Sequence, residues 1–130
     1  MTRQVLFEFS IYTIAHGAKL AKAARKSRAT KFSEAKIWKT GDRLQTKAKS
    51  AGAVMPVVFG DATNCRYLLW WGILKTIVIE DTTTHYFVEQ VRPIKGKHTP
   101  QELVLRSTGK HIAPNFIRPY AICRTPSFLA

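Results

Sequence analysis

The segment Tyr67 to Glu80 limits the possible folds more than any other part of this chain. It reads Tyr-Leu-Leu-Trp-Trp-Gly-Ile-Leu-Lys-Thr-Ile-Val-Ile-Glu, almost wholly apolar and rich in β-branched and aromatic side chains. A strand half exposed to water would alternate polar and apolar residues. An unbroken apolar strand is one that is covered on both faces, at the centre of a sheet. The stretch Tyr67 to Ile79 has 13 residues and contains Lys75, too short an apolar run to cross a bilayer. Gly72 within it marks a bend or the close approach of another backbone. A chain of 130 residues supplies that cover as one domain, residues 1–130, burying about two-thirds of its unfolded surface without metal or disulfide staples.

The remaining elements arrange themselves around this strand. Val5 to Ile14 alternates, with Val5, Phe7, Phe9 and Ile11 on one face, and predicts a strand ending at His16-Gly17. Ala18 to Arg28 is built of good helix formers, with Leu20, Ala23, Ala24 and Ser27 on a thin inner stripe. Phe32, Ile37 and Trp38 are the next anchors, Thr40-Gly41-Asp42 reads as a turn, Arg43 to Thr46 as the start of a strand, and 47–53 as a loop. Pro56 to Phe59 is a short strand, and His85 to Arg92 returns from the turn at 81–84 until Pro93. Thr99-Pro100-Gln101-Glu102 has the form of a capping box, predicting a helix to about Ser107 with Gly109 as its stop. Prolines 114, 119 and 126 keep the tail extended, with an edge strand near Tyr120 to Cys123. The expected class is α+β, with one mixed or antiparallel sheet curled into an open barrel, a basic N-terminal helix and a short capped helix near 100–107.

The charge is the second constraint. Lys and Arg number 21 against 8 Asp and Glu, a net +13, and residues 1–50 carry +9 of it. Such a surplus repels itself and suits a polyanionic partner. Lys19, Lys22, Arg25, Lys26, Arg28 and Lys31 follow one another with no acidic residue between them. A helix that is merely soluble tends to alternate signs, so these six are the candidate nucleic-acid contacts, each able to displace counterions from a phosphate. Phe59, Trp70, Trp71 and Tyr86 form an aromatic group suited to stacking on an exposed base, although adjacent Trp70 and Trp71 must face opposite sides of one strand.

Catalytic and metal chemistry find no comparable pattern. The only cysteines, Cys65 and Cys123, lack C-x-x-C spacing or paired histidines and read as reduced thiols, so no disulfide, metal or cofactor is expected. Val104 and His111 stand where a Walker loop needs Gly and Ser or Thr. Glu80, Asp81 and Glu89 lack the lysine that a metal-dependent nuclease places two residues on, and His16, His85, His98 and His111 are dispersed. Glu8 interrupts the apolar start Val5-Leu6-Phe7, which excludes a secretory h-region and gives a cytoplasmic expectation. Three functions remain: a nucleic-acid-binding module acting on RNA or DNA, a small toxin-like nuclease using a histidine, and an accessory protein that docks an acidic partner.

Residues 36–94 resemble the PUA-like superfamily (PUA, ASCH, EVE and YTH domains). The likeness rests on Trp38-Lys39-Thr40-Gly41-Asp42-Arg43-Leu44 as the turn entering a barrel strand. It also rests on Val57-Val58-Phe59 followed by Asp61, Thr63 and Asn64, and on Leu69-Trp70-Trp71-Gly72-Ile73-Leu74 as a glycine-containing central strand. The ASCH signature G-x-K-x-x-E-x-R is not met, since Lys22 and Ala24 replace its Glu and Arg. The resemblance implies an open β-barrel that binds RNA or DNA and can seat a modified base, here near Phe59, Asp61, Thr63, Trp70, Trp71 and Tyr86.

Overall fold

The long apolar run lies near the middle of a six-stranded sheet. A computed structural model describes residues 4–62, 67–114 and 120–129. Its strands are β1 (Phe9–Ala15), β2 (Thr30–Glu34), β3 (Pro56–Asp61), β4 (Leu68–Glu80), β5 (Thr83–His98) and β6 (Tyr120–Arg124). Two helices, α1 (Gly17–Ala24) and α2 (Lys39–Ser50), flank β2 in the sequence. The sheet order is β2-β5-β4-β3-β1-β6. β1 and β3 run parallel and all the other neighbours antiparallel, so the class is α+β with a mixed sheet. The sheet is open, with β2 and β6 at its two edges, and does not close into a barrel.

Strand periodicity sorts the side chains into two cores. Ile11, Val57, Phe59, Leu74, Tyr86 and Val88 face Leu20 and Ala23 of α1 and Leu44 and Ala48 of α2. Tyr12, Val58, Trp71, Ile73 and Ile94 face the other way and are covered by Leu103, Ile112 and Leu129 from the C-terminal third of the chain. β3 and the first half of β4 lie between both layers, which is why their consecutive residues are apolar.

Gly72 sits where the β4–β5 ladder slips. Trp71 pairs with Arg92 but Ile73 with Glu89, so β5 carries an extra residue, and Gln90 takes a left-handed φ of 54°. A Cβ on Gly72 would lie 2.5 Å from Val88 Cγ1 and 3.0 Å from the Glu89 carbonyl oxygen. The close approach read from the sequence is this bulge.

Several expected boundaries move. The turn at 40–42, the strand at 43–46 and the first part of the loop at 47–53 give way to α2, which runs to Ser50 and leaves 51–53 outside the helix. Gly41, Leu44, Gln45 and Ala48 recur at helical spacing and are buried. Gly41 serves close approach rather than a turn: its N–H donates to the Tyr120 hydroxyl at 2.8 Å, and a Cβ there would lie 3.0 Å from that oxygen. The segment 38–44 thus enters a helix, where the PUA-like resemblance placed a strand. α1 ends at Ala24 and not at Arg28, because beyond it Ser27 and Arg28 are exposed and give no apolar anchor. β5 continues through Pro93, since β2 covers only Thr84 to Val88 and leaves the strand's outer side free beyond. The capping box holds one 3₁₀ turn, Pro100–Glu102, with the Thr99 N–H donating to Glu102 Oε2 at 2.7 Å. The chain then leaves the helical path so that Leu103 and Ile112 both reach the second core, and Gly109 closes the intervening turn at φ 71°.

Candidate nucleic-acid interface

Local structure turns the basic residues outward. α1 buries only Leu20 and Ala23, leaving Lys19, Lys22, Arg25 and Lys26 on or just beyond its solvent side. In β2, Thr30 and Phe32 point inward while Lys31 and Ser33 point out. All six predicted cations, Arg28 included, are exposed. Among the described residues, Lys22, Arg25, Lys26, Arg28 and Lys31 have no hydrogen-bond or ion-pair partner; the ion pairs seen join His85 to Glu80 and His98 to Glu102. Lys19 leans over the Phe32 ring, its Nζ 4.5 Å from the centroid. Partial burial there, with Lys26 nearby, lowers its pKa.

Lys19 also lines a cleft of about 370 Å³ with His16, Phe32, Glu34 and Tyr86. The cleft opens where the parallel strands β1 and β3 end and α1 begins, the end of an α/β sheet where ligands commonly bind. Asp61 closes β3 nearby, its Oδ2 3.4 Å from where a Cβ on Gly17 would stand. Glu34 has no described partner despite the cationic surroundings, and burial raises its pKa. Behind the cleft the aromatic rings form a ladder: Phe32 on Tyr86 at 5.3 Å, Tyr86 on Trp38 at 4.2 Å, and Trp38 on Tyr120 at 4.6 Å between centroids. Burial pushes the Tyr86 phenol far above its ordinary range, opposed by a hydrogen bond with Thr13. The ladder is rigid packing, with Tyr86 only 1% exposed.

The expected aromatic base pocket is not assembled. Phe59 is 0% exposed in the first core, tilted against Phe32. Trp71 is buried in the second core with the Arg92 guanidinium 4.3 Å from its ring centroid. Trp70 packs half-buried on the opposite, helix-side core. The physical reason is position: Phe59 pairs with Trp70 and Val58 with Trp71 in the covered middle of the sheet, where ring faces are spent on packing. Of the expected pocket residues, only the nearly buried Tyr86 lines the cleft, and Asp61 lies next in sequence to Ala62, which also lines it. Thr63, with Asn64, Cys65, Arg118 and Pro119, lies outside the described residues.

Sequence reading missed a second group. His85 and Phe87 alternate with the buried Thr84, Tyr86 and Val88, so they stand on the sheet face away from α1 and α2. Ser33 Oγ lies 2.7 Å from His85 Nδ1. With Glu80 these are the residue types of a hydrolytic triad, but the carboxylate is 3.8 Å from Nε2 and 68% exposed. That distance exceeds a hydrogen bond, so Glu80 does not orient the ring as a triad acid must. The other histidines stay apart: His98 contacts Glu102 at 2.9 Å, and His111 contacts the Gln101 carbonyl at 2.9 Å. No group of three metal-ligating side chains exists among the described residues. Cys123 is fully buried in β6, and burial pushes its thiol up to about 12, a poor setting for a nucleophile. No described helix is long and apolar enough to cross a membrane. Comparison with family profiles, curated proteins and solved structures finds no match to the chain.

Proposed function

We propose that the protein is a nucleic-acid-binding module that lays the α1–β2 corner against a phosphate backbone. One observation carries this reading: five exposed cations within residues 22–31 have no partner among the described residues, in a chain of net charge +13. Unsatisfied charge of one sign is costly to concentrate, and phosphates neutralise it while releasing counterions. Lys19 continues the row into the cleft, where His16 and Glu34 offer a donor and an acceptor to a base edge. The sheet need not form a barrel for this. The function rests on side chains at one corner, not on a fold family.

The test is a fluorescence-anisotropy titration with short single- and double-stranded RNA and DNA at several salt concentrations, followed by a gel of the same mixtures. Binding that weakens steeply with salt and leaves the strands intact supports the module. Absence of binding at low salt sinks it and points to an acidic protein partner, while shortened strands would favour the nuclease.

A further inference from the structure

We propose that the sheet face of β2, β5 and the distal half of β4 that lies outside both described cores is a stacking platform for unpaired bases, which makes the bound nucleic acid single-stranded. This rests on the nucleic-acid reading above and adds the strand type and the surface that selects it.

Cross-strand pairing builds the platform. Lys31 lies opposite Phe87, which lies opposite Thr76; Ser33 lies opposite His85, which lies opposite Val78. These rows share the face opposite the two helices. The second core covers that face only near β3 and the first half of β4, and neither core contains Phe87 or Val78. Val78 is 40% exposed, and Lys31 and Ser33 are exposed beside it. Two ring systems, Phe87 and His85, both partly exposed, therefore stand about 7 Å apart along one strand on a face outside both described cores. The Ser33 contact holds the imidazole in place without a covering layer.

A lone partly exposed phenylalanine needs no explanation on a protein surface. Here the surroundings supply one. Lys31 is the cross-strand partner of Phe87, and β2 continues directly from the partnerless Lys22 to Arg28 run, so a strand whose phosphates follow those cations passes the edge of this face. Acidic Glu80 and Asp81 stand at the far tip of the β4–β5 hairpin, which restricts a polyanion to the Lys31–Phe87 side. A duplex hides its base faces and could meet only the cations. A single strand can meet both cations and rings.

The test compares wild type, Phe87→Leu and Phe87→Tyr. Each is titrated with a 2-aminopurine-labelled single strand and with a duplex of the same length, after thermal melts show equal folding. Phe87→Leu should lower single-strand affinity by about 5- to 150-fold and relieve 2-aminopurine quenching, while Phe87→Tyr keeps both. Duplex affinity should stay unchanged throughout. If Phe87→Leu leaves single-strand affinity and quenching intact while salt-dependent binding persists, the platform is overturned and the module reading stands. If wild type binds neither strand type at low salt, the module reading falls first and takes the platform with it. A wild-type dimer that Phe87→Leu dissociates, with single-strand affinity unchanged, overturns the platform in favour of a second copy of this chain.

Discussion

Replacing Lys22, Arg25, Lys26 and Arg28 together with Gln tests the phosphate contacts quantitatively. All four side chains are exposed and without described partners, so their loss removes charge and leaves packing unchanged. If each neutralises one phosphate of a duplex, the slope of log K against log salt should fall by about 3.6, and by about 2.8 on a single strand. Referred to 1 M salt, the duplex value means a loss of about 4,000-fold in affinity at 0.1 M and about 80-fold at 0.3 M. The convergence at higher salt is the signature of lost counterion release; a disrupted fold would weaken binding equally at all salts. The assay is anisotropy at four or more salt concentrations, with a melt to show that the variant is folded. A slope that changes by about 1.8 would assign two of the four to phosphates. A slope identical to wild type would refute the reasoning, whatever the absolute affinity.

Two further outcomes follow from the fold. Gly72→Ala should destabilise by about 1–3 kcal/mol in urea titration, because the new methyl meets a β-branched side chain and a backbone carbonyl at the Gln90 bulge, neither of which yields easily; stability equal to wild type would contradict the bulge. Glu102 has its carboxyl held below the ordinary 4.5 by His98 first and by the Thr99 N–H second. Its folded pKa is the lower one, so its contribution is present above about 4.5 and lost as pH falls through the folded value. Glu102→Gln should therefore flatten the acid limb of stability measured from pH 6 to 3, and an unchanged limb would show that the contact contributes nothing.

The sequence made β1, β3, β4, the returning β5 and the edge strand β6 legible, because burial on one or both faces leaves a period in the residues. It hid α2 and β2 for opposite reasons. α2 buries little that is strongly apolar: Leu44 and Ala48 anchor it, Gly41 is there for the Tyr120 hydroxyl, and Gln45 is buried only because its Nε2 reaches the Leu74 carbonyl at 3.3 Å. A glycine followed by an aspartate imitates a turn when the contact that requires the glycine is 79 residues away. β2 has a single large apolar residue, Phe32, and its strand form comes from pairing with β5. The basic half of the proposed site was legible because charge needs no topology to be counted. The aromatic half was not: Trp70 and Trp71 draw attention by size but lie in the covered middle of the sheet. Phe87 looks ordinary until the sheet order places it, partly exposed, on a face outside both described cores.

Edge protection is the plainest competing account of the cations. β2 is a short edge strand, and a lysine on such an edge prevents it from pairing with another chain. One outward lysine, Lys31, is enough for that task. The other outer strand, β6, is paired along its far side by residues 104–106, with the Arg106 N–H donating to the Ile122 carbonyl at 2.9 Å and the Arg124 N–H to the Val104 carbonyl at 2.8 Å, so it needs no such charge. Lys22, Arg25, Lys26 and Arg28 lie before β2 begins and guard no ladder. They add like charge to like charge, which raises the folded state's energy without improving its specificity. On the reading proposed above, what edge protection does not need is available to a polyanion, and removing that excess should flatten the salt slope while leaving the fold and the β2 edge unchanged.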